Sequence, residues 1–267
     1  MKNHLPVVEL LKQIREKNPV VHHLTNWVTI YDCAQVVKTL GASPVMAHAR
    51  EEVADMAGIA SALVLNIGTL TPEFVEAMKT AAQTANRKGI PVVLDVCGAG
   101  ATRLRDQKAF ELLDQVRIDI LKGNVSEIAR MAGEKVRTQG VDAVQVEKDM
   151  VALAQRLASQ RRMVVVITGK EDIVTDGKTT YLVRNGHPMM GKVVGTGCMA
   201  ASVIGTFAAV EKDLAVAAAS ALACFEIAAE CAVKKAKGPA SFKEKLLDGL
   251  FTLDAKVLGR MQKVFLA

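Results

Sequence analysis

Short apolar runs, often β-branched, alternate with longer amphipathic stretches through much of the chain. Five of the short runs predict strands, at Val20–Leu24, Ala62–Ile67, Pro91–Val96, Ile118–Leu121 and Met163–Thr168. The stretches between them, such as Thr71–Lys88 and Val146–Ser159, carry apolar residues at helical spacing. Strands separated by helices of this length form parallel βαβ units, and helices then cover both faces of the sheet. The pattern predicts an α/β fold with a mostly parallel central sheet.

The C-terminal third has a different pattern. Asp172–Asp176 and Thr179–Val183 flank Gly177-Lys178 so closely that they predict a hairpin on the edge of the sheet. From Gly197 to the end of the chain the pattern is almost wholly helical. The sequence contains no linker, internal repeat or low-complexity segment, so it predicts a single domain over residues 1–267.

Two apolar runs in this region raise the question of a membrane span. Cys198–Val210 and Leu214–Phe225 are separated by the charged triplet Glu211-Lys212-Asp213. Each run is shorter than the ~20 residues that a spanning helix needs. They predict buried, alanine-rich core helices and no association with a membrane.

Composition and charge narrow the class of partner. The 267 residues are 50% apolar and 4% aromatic, with a formal net charge of +6. The apolar content excludes a disordered chain, and so few aromatic side chains argue against nucleic acid binding by base stacking. The scattered positive charge suits a small phosphate-bearing molecule. The five cysteines form no C-x-x-C pair and no apolar signal segment opens the chain, so we expect a cytoplasmic protein.

Polar residues and glycines recur where the predicted strands end. In chain order these ends are Thr25-Asn26, Asn66-Ile67-Gly68-Thr69, Asp95 with Gly98-Ala99-Gly100, Lys122-Gly123-Asn124 and Thr168-Gly169-Lys170. Open parallel sheets bind ligands outside the carboxyl ends of their strands, and glycine lets the backbone approach a ligand closely. Each set alone is also an ordinary βα turn. Their recurrence at five strand ends indicates a binding edge.

Two carboxylates near this edge are candidate ligands of Mg²⁺. Asp95 leaves the end of an apolar strand, and Glu127 follows Asn124 at the start of a helix. Magnesium is held by a few carboxylates together with the phosphates of a substrate, directly or through water. The competing interpretation of Glu127 is structural, because Asn-x-x-Glu is also a helix-capping box.

The segment Gly195-Thr196-Gly197-Cys198 precedes a long apolar helix and is a candidate anion hole. Glycines at a helix N-terminus expose free N–H groups at the positive end of the dipole, which also lowers the pKa of a thiol there. The alternative is a glycine-rich turn with an inert cysteine. Cys33, Cys224 and Cys231 fall in helical apolar patterns typical of a core, whereas the pattern leaves Cys97 undecided.

Three other motifs do not complete a site. Gly186–Lys192 has the spacing of a phosphate loop, but Val193 replaces the Ser or Thr that binds Mg²⁺. Gly98-Ala99-Gly100 begins like a dinucleotide fingerprint, but Arg103 stands where its third glycine should be. His22-His23 lacks the i, i+4 spacing of helical zinc ligands. The sequence therefore argues against these nucleotide motifs and against a permanent transition metal.

A longer series of segments occurs in this order: Val21-His22-x-Leu24-Thr25-Asn26, Gly41-Ala42-Ser43-Pro44-Val45-Met46, Leu63-Val64-Leu65-Asn66-Ile67-Gly68-Thr69, Val93-Leu94-Asp95 with Gly98-Ala99-Gly100-Ala101-Thr102, Lys122-Gly123-Asn124-x-Ser126-Glu127-Ile128, Thr168-Gly169 and Gly195-Thr196-Gly197-Cys198. Over about residues 20–210 the series resembles the hydroxyethylthiazole kinases, thiamine-salvage enzymes with the ribokinase-like fold. No single motif is specific, but the joint pattern is. The resemblance implies a three-layer α/β/α fold and MgATP-dependent phosphorylation of the hydroxyl of 4-methyl-5-(2-hydroxyethyl)thiazole.

The resemblance also implies a substrate site and an assembly. Met46 and Gly195 would contact the thiazole with Asn26 beside it, and Cys198 would lie at the substrate hydroxyl. Related sugar kinases have Asp where Cys198 stands, and that Asp accepts the hydroxyl proton. The family is trimeric with active sites between neighbouring subunits, so a homotrimer is expected.

For the nucleotide, the resemblance implies that Lys122 and Thr168 hold phosphates while Asp95 and Glu127 organise Mg²⁺. The family usually has Arg before Gly-Asn; Lys122 keeps the charge but loses the bidentate fork. Its common Asp-Pro-Val-Gly-Ala-Gly becomes Asp95–Gly100 without the proline, which frees a backbone N–H and removes a fixed turn.

Other functions stay open on the sequence. Hydroxymethylpyrimidine kinases and an ATP-dependent NAD(P)H-hydrate dehydratase share the implied fold, but both normally carry Asp at the position of Cys198. A non-catalytic nucleotide-binding protein would explain the glycine-rich strand ends. It would not require Asp95, Glu127 and Cys198 together.

Overall fold

The computed structural model describes residues 2–134 and 143–267. Within them ten strands form one sheet: β1 (Lys2–Asn3), β2 (Val20–Leu24), β3 (Ser43–Val45), β4 (Ala62–Asn66), β5 (Val92–Asp95), β6 (Ile120–Asn124), β7 (Val164–Thr168), β8 (Asp172–Thr175), β9 (Thr180–Val183) and β10 (Val264–Leu266). The α-helices of the same residues are α1 (Val7–Lys17), α2 (Ile30–Leu40), α3 (Val53–Ile59), α4 (Pro72–Lys88), α5 (Arg103–Gln115), α6 (Val125–Met131), α7 (Ala143–Arg161), α8 (Thr196–Ala208), α9 (Leu214–Val233), α10 (Pro239–Thr252) and α11 (Ala255–Met261).

The strands follow the order β1-β10-β9-β8-β7-β6-β5-β4-β2-β3. The six strands from β2 to β7 are parallel, and the four from β8 through β9 and β10 to β1 add to one side in antiparallel pairs. The prediction of a mostly parallel sheet is confirmed, and all five predicted strands form. The fourth is displaced, because it begins at Ile120 and continues through Asn124.

One strand prediction was wrong at a sheet edge, and the short outer strands β1, β3 and β10 were not predicted. The hairpin of β8 and β9 forms, but it is not on the edge, since β10 pairs with β9 and β1 pairs with β10. The C-terminal segment is therefore not wholly helical: Val264–Leu266 is a strand whose Val264 and Phe265 face Val183 and Leu182 of β9. At the other end β3 contains Pro44, which an outer strand tolerates. The outer strands β1, β3 and β10 have only two or three residues, and a run that short shows no hydrophobic periodicity from which a strand could be predicted.

Helices cover both faces of the sheet and enclose two cores. Along β4, Val64 packs into one core with α1, α2 and α8 to α11, while Leu63 and Leu65 pack into the other with α3 to α7. Side chains of a strand alternate between the two faces, so a strand buried on both sides is apolar throughout. This arrangement is the three-layer α/β/α architecture.

The alanine-rich helices α8 and α9 lie in the first of these cores. α9 is longer than the predicted run, since it reaches Val233 and has 20 residues. By length and composition it is therefore the one helix of the described residues that could cross a membrane, and the argument from length was wrong. In the fold, 78% of its apolar window is buried, mainly against α8 and α10, which confirms a core helix.

α8 lies directly on the parallel part of the sheet. A Cβ at Gly205 would overlap Val64 Cγ2 of β4. Glycine at this position therefore sets how closely the helix approaches the sheet. The N-terminus of α8, nine residues before Gly205, lies at the carboxyl edge of the parallel strands.

Candidate active site

Three polar residues lie side by side where β4 and β5 end, and the third is on β6, which continues for two more residues. The strand register pairs Asn66 with Asp95 and Asp95 with Lys122. Asn66 Nδ2 donates to Asp95 Oδ2 at 2.9 Å, and Lys122 Nζ donates to both Asp95 oxygens at 3.2 and 3.3 Å. The predicted binding edge thus brings a carboxylate and an ammonium group into direct contact.

The same network continues through Asn26, which follows β2. Asn26 Nδ2 donates to Asn66 Oδ1 at 3.1 Å and to Cys198 Sγ at 3.2 Å. Asn26 Oδ1 accepts from Thr29 Oγ1 at 3.0 Å. One asparagine therefore connects the strand ends to the first turn of α8, and its amide orientation is fixed by partners on both sides.

Asp95 and Lys122 form a buried ion pair. Burial raises the pKa of Asp95 to about 7, against the attraction of Lys122. Burial alone would lower the pKa of Lys122, but Asp95 and Glu127 outweigh it and the pKa is raised. Lys122 is therefore cationic at neutral pH, whereas the charge of Asp95 depends on what binds beside it.

The start of α8 supplies a second positive element. Gly195, its N-cap, has φ of +92°, and a Cβ there would lie 2.5 Å from Thr29 Cγ2. Both the backbone angle and the space require glycine. A Cβ at Gly197 would lie 3.3 Å from Lys122 Nζ, so the ammonium group lies beside the helix N-terminus. Free N–H groups, dipole and ammonium together suit an anion.

Cys198 lies between these groups and is buried. A hydrogen bond from the Cys97 thiol outweighs burial and, with Thr29, Lys122 and Asn26, lowers the pKa of Cys198 to about 5. The pKa of Cys97 is raised by the same hydrogen bond and by burial. The shared hydrogen bond favours the thiolate at Cys198 and the thiol at Cys97, so Cys97 is a partner of Cys198.

The remaining cysteines and the paired histidines are buried or half-buried, which favours a structural role for them. Burial raises the pKa of Cys33 to about 11 and that of Cys224 to about 12, and Cys231 lies half-buried in α9. His22 and His23 are buried on β2 with pKa values lowered by burial. Among the described residues, no group of three or more His, Cys, Asp or Glu side chains could hold a metal.

Glu127 forms the capping box that its spacing allows. Asn124 Oδ1 accepts from Glu127 N at 2.9 Å, and Glu127 Oε2 accepts from Asn124 N at 2.7 Å. Its other oxygen, Oε1, accepts from Gly98 N at 2.7 Å and so fixes the loop after β5. The structural interpretation of Glu127 is confirmed. Each carboxylate oxygen keeps a second lone pair, so the cap does not use up its capacity for a cation.

A cavity of about 620 Å³ opens beside the N-terminus of α8. Thr168, at the end of β7, lines it together with Thr196 and Gly197, and the side chains of Leu222 and Phe225 on α9 form an apolar wall. Ligand sites of small molecules have this size and this mixture of apolar walls with a few polar groups. Thr168 therefore shares one cavity with two of the four residues of the candidate anion hole, Thr196 and Gly197.

The segment Gly186–Lys192 also lines this cavity. It forms an extended entry and a 3-10 turn, Pro188–Lys192, and α8 begins only at Thr196. It is therefore not a phosphate loop, which is a strand, a loop and a helix in direct succession. Its place at the cavity was not predicted from the sequence.

Met46 lies apart from the hydrogen-bonded network. It is half-buried just after β3, the strand beside β2, and so lies at the same sheet edge as Asn26. Just after Asn26, three large side chains are exposed: Trp27 by 48% and Val28 by 68% in the β2–α2 connection, and Tyr31 by 69% in the first turn of α2. An apolar surface of this kind beside polar ligand groups is typical of a contact region.

Some residues of the hydrogen-bonded site were given no role from the sequence. Arg105 of α5 donates to the carbonyl oxygens of Ile67 and Cys97 at 2.9 Å and to that of Gly68, tying two strand-end loops together. The only signal for Arg105 was its proximity to a glycine-rich loop. Thr29 directly precedes α2, where it resembles an ordinary N-cap. Asn66 was visible at a strand end without a role.

Comparisons with known proteins agree with this geometry. Residues 11–256 match the hydroxyethylthiazole kinase family. A hydroxyethylthiazole kinase of Methanosarcina mazei is 55% identical over 95% of this chain and 97% of its own. The structure of a hydroxyethylthiazole kinase from Pyrococcus horikoshii superposes with a TM-score of 0.91, at 41% identity over 98% of both chains. A ribokinase-like protein of Enterococcus faecalis, 17% identical over 86% of both chains with a TM-score of 0.63, shares the fold. Strand ends, helix N-terminus and relatives converge, and the chain belongs to the hydroxyethylthiazole kinase family.

Proposed function

We propose that this protein transfers the γ-phosphoryl group of ATP to the hydroxyl of 4-methyl-5-(2-hydroxyethyl)thiazole, a step of thiamine salvage. The observation that carries the proposal is the meeting of Lys122, Asp95 and the N-terminus of α8 beside a 620 Å³ cavity. Phosphoryl transfer is catalysed mainly by positioning and by stabilising charge on the phosphate oxygens. This arrangement offers both.

In the proposed complex the nucleotide occupies the cavity with its phosphates toward Thr168, Lys122 and α8. The N–H groups of Gly195, Gly197 and their neighbours would bind oxygens of the transferred group, as preorganised donors do in a buried site. Lys122 Nζ lies beside Gly197 and adds a full positive charge. The thiazole alcohol would approach from the Asn26 and Met46 side, with Gly195 between the two substrates.

Magnesium fits the donor set on the nucleotide side. The negative charge of Glu127 opposes the ionisation of Asp95 and raises its pKa. Both carboxylates raise the pKa of Lys122. A cation beside them would relieve that repulsion and share Asp95 with Lys122. Bound to the phosphates, Mg²⁺ would neutralise their charge.

Cys198 is positioned to take the hydroxyl proton. Its neighbours lower the pKa to about 5, so it is ionised at neutral pH. A thiolate with that pKa has nearly the basicity of a carboxylate, which related sugar kinases use at the same position. Asn26, which donates to Sγ at 3.2 Å, holds the sulfur in place. The proton needs to leave only as the new bond forms, since the transition state is loose.

The assembly proposed for this protein is a homotrimer in the cytoplasm. The exposed Trp27, Val28 and Tyr31 lie beside the thiazole side of the site, where a neighbouring subunit would cover them and complete the pocket. The five cysteines are free thiols, which suits a reducing compartment.

The test is turnover of the purified protein with MgATP and the thiazole alcohol, measuring ADP and the phosphorylated product. Parallel reactions contain hydroxymethylpyrimidine, hydrated NADH or no acceptor. Product with the thiazole alone supports the proposal. ADP release that depends on the pyrimidine or on hydrated NADH would replace the substrate, and ATP binding without turnover on any acceptor would favour a nucleotide-binding protein.

A further inference from the structure

Two of the five free thiols lie together beside the Asp95–Lys122 pair. Cys97 follows the end of β5 by two residues and is half-buried, whereas Cys198 lies in the first turn of α8 and is buried. Their sulfur atoms are close enough for the two thiols to share a hydrogen bond. Two thiols in contact on separate elements of a fold are the starting point for a disulfide.

The hydrogen-bonded network of the site brings the two thiols together. Asn26 Nδ2 donates to Cys198 Sγ at 3.2 Å and to Asn66 Oδ1 at 3.1 Å, and Asn66 Nδ2 donates to Asp95 Oδ2 at 2.9 Å. Asp95 is the last residue of β5 and precedes Cys97 by two positions. A continuous chain of hydrogen bonds therefore connects the strand end before Cys97 to the sulfur of Cys198.

The loop that carries Cys97 is anchored at the peptide group between Cys97 and Gly98. The carbonyl oxygen of Cys97 accepts from Arg105 Nη1 at 2.9 Å, and Gly98 N donates to Glu127 Oε1 at 2.7 Å. Gly98 has φ of +79°, and a Cβ there would lie 2.8 Å from Arg105 Nη1. Because both polar groups of this peptide are held, the loop keeps Cys97 against Cys198.

The other three cysteines are not placed for this chemistry. The two residues directly before Cys198 line the 620 Å³ cavity, so a small solute reaches the start of α8. Cys33 and Cys224 are fully buried in the core, and Cys231 on α9 has Met261 Sδ as its neighbour at 3.9 Å. Cys97 and Cys198 are therefore the pair that is both in contact and within reach of the cavity.

We propose that a hydroperoxide converts Cys97 and Cys198 into a reversible disulfide, and that this bond switches phosphoryl transfer off. The peroxide transfers one oxygen atom to the sulfur of Cys198, which becomes a sulfenic acid, and leaves as an alcohol or water. The sulfur of Cys97 then displaces that oxygen as water and forms the disulfide. In all, the two thiols lose two electrons and two protons, and the O–O bond of the peroxide takes up both electrons.

The loss of activity rests on the proposed function, in which Cys198 takes the hydroxyl proton. A sulfur atom in a disulfide carries no negative charge and accepts no proton at neutral pH. The bond would also tie the loop after β5 to the first turn of α8, where the transferred phosphoryl group would bind. In a reducing compartment such disulfides are transient and sense oxidants, and a dithiol reverses them by exchange.

The first experiment maps the disulfides of the purified, reduced protein after exposure to hydrogen peroxide. Free thiols are blocked, and trypsin then releases Cys97 in residues 89–103 and Cys198 in residues 193–212, with no other cysteine in either peptide. Mass spectrometry is expected to find these two peptides joined, and to find them separate after dithiothreitol. Absence of the joined peptide would overturn the proposal, as would Cys198 joined instead to residues 18–38, which contain Cys33.

The second experiment asks whether the disulfide acts as a switch. Turnover of the wild type is expected to fall roughly 10²-fold on oxidation, the weight of a general base, and to return with dithiothreitol. Cys97→Val has the residue of the common family motif at this position and removes the second thiol. After the same excess of peroxide its Cys198 should be oxidised to the sulfinic acid, so turnover should not return to the value of its own reduced form.

Cys231→Ser is the matched control, because it removes a half-buried thiol outside the site and should keep the reversible loss. Full recovery of turnover in Cys97→Val would show that the disulfide has no part in the reversal and would overturn the switch. The peptide map of the wild type decides the proposal even if a variant does not fold.

The peptide map and the kinase assay separate this inference from the proposed reaction. A joined peptide in a protein that does not phosphorylate the thiazole would retain the disulfide and reject the activity. Thiazole phosphorylation by a protein that forms no joined peptide would retain the activity and reject the disulfide.

Discussion

Buried carboxyl groups occur in two parts of the site, with different partners. Asp95 contacts Lys122 at 3.2 Å and Asn66 at 2.9 Å, so its charge is matched by a cation. Asp172 lies near Glu226, a second acid, and burial raises the pKa of both groups. The first pair keeps charge available where phosphates would bind. The second pair carries less charge, because burial and the repulsion between two acids favour the protonated form. The partner of a buried acid, more than its burial, therefore decides whether it acts as a charge or as a neutral hydrogen-bonding group.

The largest effect is expected on removing the cation of the first pair. Lys122→Met leaves Asp95 buried and unpaired, which costs about 3–5 kcal/mol of stability. The loss of positive charge beside α8 should also lower kcat roughly 10²–10³-fold. Urea unfolding and steady-state kinetics measure the two effects. Lys122→Arg is the control, since it keeps the charge; if Lys122→Met were as stable and as active as Lys122→Arg, the ion pair would have no part in either property.

Substitutions of Cys198 test whether its sulfur acts as a charged group beside the Asp95–Lys122 pair. Cys198→Ala should lower kcat roughly 10²-fold by removing the proton acceptor. Cys198→Asp should restore much of that loss, because a carboxylate has similar basicity. For the wild type, kcat/KM should fall as the pH drops through about 5, where the thiolate takes up a proton. Unchanged turnover in Cys198→Ala would reject the role as a base and leave the anion hole intact.

A substitution at Gly195 tests how the backbone at the N-terminus of α8 contributes to the site. Gly195→Ala places a Cβ at a φ of +92° and 2.5 Å from Thr29 Cγ2. We expect a loss of about 1–3 kcal/mol in stability, together with a reduced kcat as the first turn of α8 shifts. Gly58→Ala in α3 is the matched control, because a Cβ there meets nothing within 4 Å. Equal unfolding midpoints for the two variants would show that the close contact with Thr29 relaxes at no cost.

The smallest effect concerns the carboxyl pair and pH. The pKa of Glu226 is raised above its ordinary value of 4.5, so the folded protein holds a proton that the unfolded chain releases. Its contribution to stability is complete below pH 4.5 and is lost as the pH rises through the raised pKa, by at most about 1.4 kcal/mol per pH unit. Glu226→Gln should lack this slope. The unfolding free energies of the wild type and of Glu226→Gln are measured between pH 4 and 8. Parallel pH profiles of the two proteins would contradict a raised pKa of Glu226.

The sequence predicted the Asp95–Lys122 pair far better than the Asp172–Glu226 pair. Asp95 ends β5 and Lys122 pairs with it on β6, so the alternation of predicted strands and helices alone brought them to one edge of the sheet. Glu226 is a single acid in an alanine-rich run, and Asp172 begins a hairpin; nothing local indicates that they meet. Their contact depends on how α9 crosses the antiparallel strands, and the position of those strands was itself mispredicted because β10 is only three residues long.

Gly205 is not among the residues that line the cavity, but its contact with Val64 of β4 fixes the position of α8 on the sheet. α8 rises about 1.5 Å per residue, so Gly197 in its first turn lies about 12 Å along the axis from the place where Gly205 rests on Val64. A shift of the helix at that support would move its N-terminus as a rigid displacement. Under the proposed function, the size of the residues at positions 64 and 205 would set the gap between phosphoryl donor and acceptor. Repacking this support is a route to altered acceptor range that leaves every ligand-contacting side chain in place.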